Sequence, residues 1–254
     1  MKNILNNIRK WTLAFTLTLS AGLIHAQTFE IPLRRGTLEI KEVVGNIHLE
    51  AYDGSEIIIK GKGGYRMPPE QSQGLTSLRS MHDNTRLGLH YRKTGNIITL
   101  QTVKGTNRKG YTLKVPRLVK LKINNFTNRC RKIKVSNFSS EVDITTRYAQ
   151  VELNNLKGKV RVYTRHGVVK AQFEQINGNT SIASRHGSVD ITLPEQVKTD
   201  LTASTYFGEI YTNLDIPIDK LGVSNNPEIN IKLNGGGRWL RLNSRHSNVY
   251  IRSK

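Results

Sequence analysis

Along most of the chain, apolar and polar residues take turns. Val142, Ile144 and Thr146 fall on one parity, and Asp143, Thr145 and Arg147 on the other. The same phasing returns at Val160, Val162 and Thr164, at Thr180, Ile182 and Ser184, at Leu201, Ala203 and Thr205, and at Leu240, Leu242 and Ser244. A period of two, rich in β-branched residues, predicts strands with one buried face. A second alternating stretch follows each: Val151 and Leu153; Val169, Ala171 and Phe173; Val189, Ile191 and Leu193; Ile210 and Leu214; Val249 and Ile251. Turn signals such as Asn155-Leu156-Lys157-Gly158 and Gln175-Ile176-Asn177-Gly178 then close the unit.

Between the two strands of each unit stands one short phrase. It reads Thr146-Arg147-Tyr148-Ala149, then Thr164-Arg165-His166-Gly167, then Ser184-Arg185-His186-Gly187. It returns as Thr205-Tyr206-Phe207-Gly208 and as Ser244-Arg245-His246-Ser247, at steps of 18, 20, 21 and 39 residues. A period of about 20 residues marks a repeat architecture. One such unit cannot bury its apolar face alone, whereas units stacked in register share a continuous core. The predicted fold is all-β: a β-solenoid, single-stranded β-helix-like, of stacked coils of about 20 residues. Thr146, Thr164, Ser184 and Thr205 are expected to succeed one another in a single column. The closing glycine is expected to supply a positive φ. The hydroxyl before each Arg should face inward and bond corner backbone groups.

The rest of the chain reads as strands around one interruption. Phe29, Ile31 and Leu33, then Leu38 and Ile40, then Ile47 and Leu49, then 56–60 each alternate. The pattern fails over 61–84, where Gly63-Gly64, Pro68-Pro69 and several Gln and Ser predict a long loop. Within it only Leu75, Leu78 and Met81 suggest a weak helical face. Strands at 86–92 and 96–102 are predicted to form a hairpin through Lys93-Thr94-Gly95. Tyr111 to Val115 is closed by Pro116, and Val119, Leu121 and Ile123 alternate again. The repeats run from Lys132 to about Leu214, 215–227 interrupts them, and 229–233 with 239–254 completes a terminal unit. The domain division expected is a leader over 1–26, an N-terminal β region over 27–116 with its insertion near 61–84, and solenoid repeats over 117–254. Nothing in the pattern separates the N-terminal region from the same stack.

The start of the chain adds a compartment. Lys2, Arg9 and Lys10 precede an apolar run from Trp11 to Ile24, and His25-Ala26 stands before Gln27. A basic start, a short apolar run and a small residue at the cut make a secretory signal peptide. The expected location is therefore exported: periplasm, outer-membrane surface or extracellular space. Lys and Arg number 39 against 19 Asp and Glu, a net charge of +20. After residue 26 the balance is 36 against 19, or +17. Such a surface favours acidic polysaccharide or anionic lipid head groups, with peripheral membrane contact compatible. Nucleic acid is not expected of an exported chain. Cys130 is the only cysteine, so no intrachain disulfide staples the fold, and it reads as a small apolar filler.

With these features in place the sequence resembles the DUF4097 family of β-strand-repeat adhesin domains, related to the DUF2807 autotransporter-adhesin head domain. Gly45-Asn46-Ile47-His48-Leu49-Glu50-Ala51-Tyr52-Asp53-Gly54 is similar to that family's glycine-acidic-isoleucine strand and its aromatic-Asp-Gly turn. Tyr111 to Pro116 resembles its strand ending in Val-Pro. Thr164-Arg165-His166-Gly167-Val168-Val169 and Ser184-Arg185-His186-Gly187-Ser188-Val189 resemble its stacked corners. The acidic residue common after the corner glycine is replaced here by Val168 and Ser188. The resemblance covers most of 36–254 and implies a β-helix-like, secreted or envelope-associated protein. It brings no catalytic residues with it.

Two columns are left as candidate chemistry. Arg147, Arg165, Arg185 and Arg245 fall at one corner on the outward parity. Coils about 4.8 Å apart would hold like charges close together. Guanidinium forks there would suit phosphate or carboxylate groups. The alternative is a solvated face balanced by Asp143, Glu152 and Asp190. His166 and His186, with His246, form the second column, and Tyr148 and Phe207 take the equivalent positions. Aromatic replacements argue for stacked rings over a metal site, so no metal and no cofactor is assigned. Sequences such as Gly-x-Ser-x-Gly, a reactive Cys-His pair or a zinc-protease helix are missing, and no catalytic residue is named. The expected function is a non-enzymatic envelope or extracellular protein, an adhesin or binding surface for anionic glycan or head groups. The alternatives are a polysaccharide-active enzyme on a β-helix scaffold, and a structural or signalling-linked envelope component without a ligand.

Overall fold

The computed structural model describes residues 28–62, 70–75, 81–103, 106, 109–216 and 227–254. The expected leader over 1–26 lies outside the described residues, as do Gly63-Gly64, Pro68-Pro69 and Leu78. Two ten-stranded sheets account for the strands, numbered here along the chain. Sheet A runs β1 (Thr28–Pro32), β4 (Glu56–Lys62), β7 (Gly110–Pro116), β3 (Asn46–Tyr52), β9 (Lys132–Ser136), β11 (Gln150–Asn154), β13 (Val169–Gln172), β15 (Val189–Leu193), β20 (Val249–Ser253), β17 (Ile210–Thr212). Sheet B runs β18 (Glu228–Leu233), β16 (Thr199–Thr205), β19 (Arg238–Ser244), β14 (Thr180–Ser184), β12 (Val160–Thr164), β10 (Val142–Thr146), β8 (Val119–Asn125), β2 (Gly36–Lys41), β6 (Ile97–Thr102), β5 (Leu89–Thr94).

Each coil gives one parallel strand to sheet B, turns a corner, and gives the next to sheet A. The fold is a two-sheeted β-solenoid. Its inward residues stack in rows: Ile144 beside Val162, Val162 beside Ile182, Ile182 beside Leu242, Leu242 beside Ala203. All five are at most 1% exposed. Full burial of such aliphatic side chains stabilises by about 1.5–3 kcal/mol each, which holds the parity of every strand. Strands from both sides of residue 116 share the two sheets, and their buried residues form one core cluster.

The stacking order departs from the expected one at its C-terminal end. Ser184 pairs with Ser244, and Ser244 pairs with Thr205. The last coil, β19 with β20, therefore sits between β14–β15 and β16–β17. The 21-residue step from 184 to 205 looked like one coil but spans two places in the stack. Register there pairs apolar row with apolar row: Leu240 lies beside Leu201, and Leu242 lies between Ile182 and Ala203. The N-terminal end has the same device: β2 lies between β6 and β8, and β3 between β7 and β9.

Antiparallel strands occupy the ends. β1 and β4 extend sheet A beyond β7, β5 lies on β6, and β18 lies on β16. The β5–β6 hairpin is tighter than expected. Thr94 pairs with Ile97, which leaves Gly95-Asn96 as a two-residue turn with Gly95 at φ 56°. In the insertion, Glu70–Ser72 forms a single 3₁₀ turn, and Leu75 is 73% exposed.

Candidate functional site

The repeated phrase forms the corner that leads from sheet B to sheet A. Its hydroxyl faces inward in every coil: Thr146, Thr164, Ser184, Thr205 and Ser244 are all buried. The hydroxyls of Ser184 and Thr205 clip their own corner and a neighbouring coil together, Thr146 and Thr164 bond their own corner, and Ser244 bonds the neighbouring coil. Ser184 Oγ accepts from Gly187 N (2.9 Å) and donates to Gly167 O (3.0 Å). Ser244 Oγ donates to Gly187 O (3.0 Å), and Thr205 Oγ1 donates to Ser247 O (2.9 Å). Thr164 Oγ1 accepts from Gly167 N at 2.9 Å. Every buried hydroxyl in this ladder has at least one hydrogen-bond partner, as burial requires.

The corner glycines have a different role from the one expected. Gly167 and Gly187 are not among the positive-φ residues. Instead, a Cβ at Gly187 would lie 2.2 Å from Gly167 O, and one at Gly167 would lie 1.9 Å from Ala149 O. Close approach between coils, and not backbone freedom, selects glycine there. Ala149 and Ser247 hold the equivalent places in two other coils.

That tight corner sets the outward side chains at the coil repeat. The rings form one continuous stack. Tyr148 lies 5.6 Å from His166, His166 4.8 Å from His186, His186 4.7 Å from His246, and His246 4.9 Å from Phe207. Interplanar angles along it are 7–15°. The expectation of flat side chains stacking at a corner is met. Parallel rings aim their nitrogens along parallel lines and not at one point, which is poor geometry for one tetrahedral ion. The His186 pKa lies below the ordinary histidine value. Lost hydration is the main cause, followed by the charges of His246, His166, Arg185 and Arg165.

The arginines stand beside the rings. Arg147 and Arg245 are exposed, whereas Arg165 and Arg185 are half-buried. Arg147 lies 5.2 Å from the centre of the Tyr148 ring. Nε of Arg165 and of Arg185 is buried without a hydrogen-bond partner. The acids expected to balance the column are engaged elsewhere. Asp143 pairs with Arg161 (3.2 Å), Glu152 with Lys132 (2.8 Å) and Asp190 with Arg252 (3.3 Å). Among the described residues, no ion pair involves Arg147, Arg165, Arg185 or Arg245.

The flat faces show what the sheets do with charge elsewhere. Across sheet B, neighbouring outward residues run Glu39, Lys122, Asp143, Arg161. Across sheet A they run Lys134, Glu152, Lys170, Asp190. Signs alternate in both rows, as cross-strand pairing favours. Among the described residues, only the corner column sets like charge on like charge over consecutive coils. This contrast was invisible in the sequence until the register was known. Two recesses were not anticipated. One of about 480 Å³ is lined by Arg34, Tyr52, Asp53 and Arg117 among others, and Arg117 and Asp53 pair at 2.6 Å within it. The other, about 240 Å³ on sheet A, contains the Asp190 and Arg252 pair.

The fold and corner define a β-solenoid with an unneutralised basic edge. The family model Toastrack DUF4097 matches residues 14–236, and the chain belongs to that family. Among solved structures, it is similar to a putative cell adhesion protein from Clostridium sporogenes ATCC 15579, with 12% identity and TM-score 0.43 over 89% of this chain and 99% of that one. It is also similar to a putative adhesin from Bacteroides fragilis NCTC 9343, with 12% identity and TM-score 0.36 over 89% and 96%. No curated protein matches the sequence.

Proposed function

We propose that this is an exported, non-enzymatic binding protein whose corner column, Arg147, Arg165, Arg185 and Arg245 with His166 and His186, recognises anionic groups of the cell surface. The carboxylates or phosphates of acidic glycans and lipid head groups are the chemistry it suits. One observation carries the reading: four arginines stack in neighbouring coils without an acid, in a molecule that alternates charge on its flat faces. Holding like charges at sheet spacing costs stability. The buried Nε atoms of Arg165 and Arg185 add a desolvation cost. The repulsion is offset when an anion sits across the terminal guanidinium nitrogens. The basic leader pattern at Lys2, Arg9 and Lys10, with its apolar run, supports export.

The test compares two charge-matched variants of the chain beginning at Gln27. One carries Arg165→Gln with Arg185→Gln; the other carries Lys60→Gln with Lys232→Gln, both exposed. Binding to polygalacturonate and to phosphatidylglycerol vesicles is measured at low and high salt. The column variant is expected to lose binding, and the lysine variant to keep it. Wild-type binding should weaken with salt because the contacts are exposed and screened. Equal losses in both variants would reduce the column to part of a general basic surface.

A further inference from the structure

We infer that the ligand of this column is a linear acidic polysaccharide lying along the solenoid axis, read one coil at a time. The inference rests on the anion-binding reading above and names its ligand class.

The shape of the charge is the first argument. The column is one residue wide. It follows neighbouring coils whose rings are 4.7–4.8 Å apart between His166 and His246. Four arginines over three coil steps cover about 14 Å in a line. A single head group meets one or two of them. Only a ligand with several anions in a row uses all four, and linking the contacts raises affinity without any new kind of contact. A bilayer presents a plane instead. Seated on this edge, it would meet the adjoining faces, where Asp143, Glu152 and Asp190 stand. Those carboxylates are already paired with Arg161, Lys132 and Arg252, so the adjoining faces offer a plane of anions little beyond the column itself, and a narrow polymer needs only the column.

The ring stack is the second argument. Single-stranded nucleic acid is held by bases laid on aromatic faces. Here the faces of His166, His186 and His246 are covered by one another and by Tyr148 and Phe207. What remains outward is a row of ring edges. Imidazole edges carry nitrogens that donate or accept hydrogen bonds. Each of these three coils thus offers a guanidinium for a carboxylate and an imidazole edge for a hydroxyl. A uronic acid presents both groups on one sugar unit, and its length is comparable to one coil step. The coil order puts Arg165 and Arg185, whose guanidinium groups are half-buried, at the middle of the row. Half-buried forks lose less freedom on binding than exposed ones.

The experiment measures affinities for oligogalacturonates of one, two, four and eight units. Octathymidylate and phosphatidylglycerol vesicles are run alongside, on wild type and both charge-matched variants. The expected result is a rise of more than about tenfold from monomer to tetramer, little change from tetramer to octamer, and loss of that rise in the Arg165→Gln, Arg185→Gln variant. A monomer bound as tightly as the tetramer overturns the inference. So does tighter column-dependent binding of octathymidylate or of vesicles, while the anion-binding reading then stands. Failure of every anion to bind through the column overturns both.

Discussion

Ser244 pairs directly with Ser184 in sheet B, and Thr205, which comes between them in the chain, lies one coil further out. The last coil therefore completes the stack from within. Its Leu242 is buried between Ile182 and Ala203. Leu242→Ala should cost about 2–5 kcal/mol, as large-to-small core changes do. Urea unfolding measures it. A loss below 1 kcal/mol would mean that the terminal coil only rests against the stack.

The hydroxyl ladder makes a second prediction. Ser184→Ala leaves the Gly187 N–H and the Gly167 carbonyl without their side-chain partner. The expected loss is about 1–3 kcal/mol, the cost of orphaned buried groups. Ser184→Thr should be close to wild type, because Thr164 and Thr205 occupy the same column. If alanine and threonine were equally tolerated, backbone pairing alone would be holding the corner.

Gly187→Ala places a methyl 2.2 Å from a neighbouring carbonyl oxygen, and backbone cannot swing aside as a side chain can. Destabilisation of about 1–3 kcal/mol is expected from the forced shift. Because Gly187 has no positive φ, the damage is steric. An amide-exchange map should show it concentrated at the corners of the 167 and 187 coils. Exchange changes spread evenly over both sheets would argue against a local clash.

Acid should weaken the ring stack. The pKa of His186 is lower folded than unfolded, because lost hydration and the neighbouring His246, His166, Arg185 and Arg165 disfavour its charge. The unfolded chain therefore binds that proton more readily. Its contribution is present above the ordinary histidine value and is lost as pH falls below it toward the folded pKa. The melting temperature should drop between pH 7.5 and pH 5. His186→Phe should lessen the drop, since Phe207 already occupies the column. An unchanged pH slope in that variant would place the sensitivity elsewhere.

Much of this was legible in the chain because alternation is a local property. Burial in the structure follows the parity of Val142, Ile144 and Thr146 and of every later unit. The inward hydroxyls and the stacked rings followed from the same repeat. What the chain did not disclose depends on register between coils. The place of Ser244, the partners of Asp143, Glu152 and Asp190, and the steric role of Gly187 appear only when coils are set side by side. Single-coil reasoning offered φ as the reason for glycine because a corner in isolation has no neighbour to collide with.

Cys130 offers a check on burial at the foot of the repeats. Burial pushes its thiol up to about 12, and its Sγ lies 3.7 Å from Lys132 O. A thiol reagent at pH 8 should leave it unmodified in the folded protein and label it once urea unfolds the chain. Rapid labelling of the native protein would show that this corner opens.

The central claim is that the arginine column is kept for binding at the expense of stability. Thermal melting at low salt, with and without polygalacturonate, tests it most directly on wild type and the Arg165→Gln, Arg185→Gln variant. The account predicts that the variant melts at or above the wild-type temperature without ligand, because repulsion and two buried orphan donors are removed. It also predicts that polygalacturonate raises the melting temperature of wild type but not of the variant. A variant that melts lower while keeping the full ligand shift would show that the column is structural, contradicting the account.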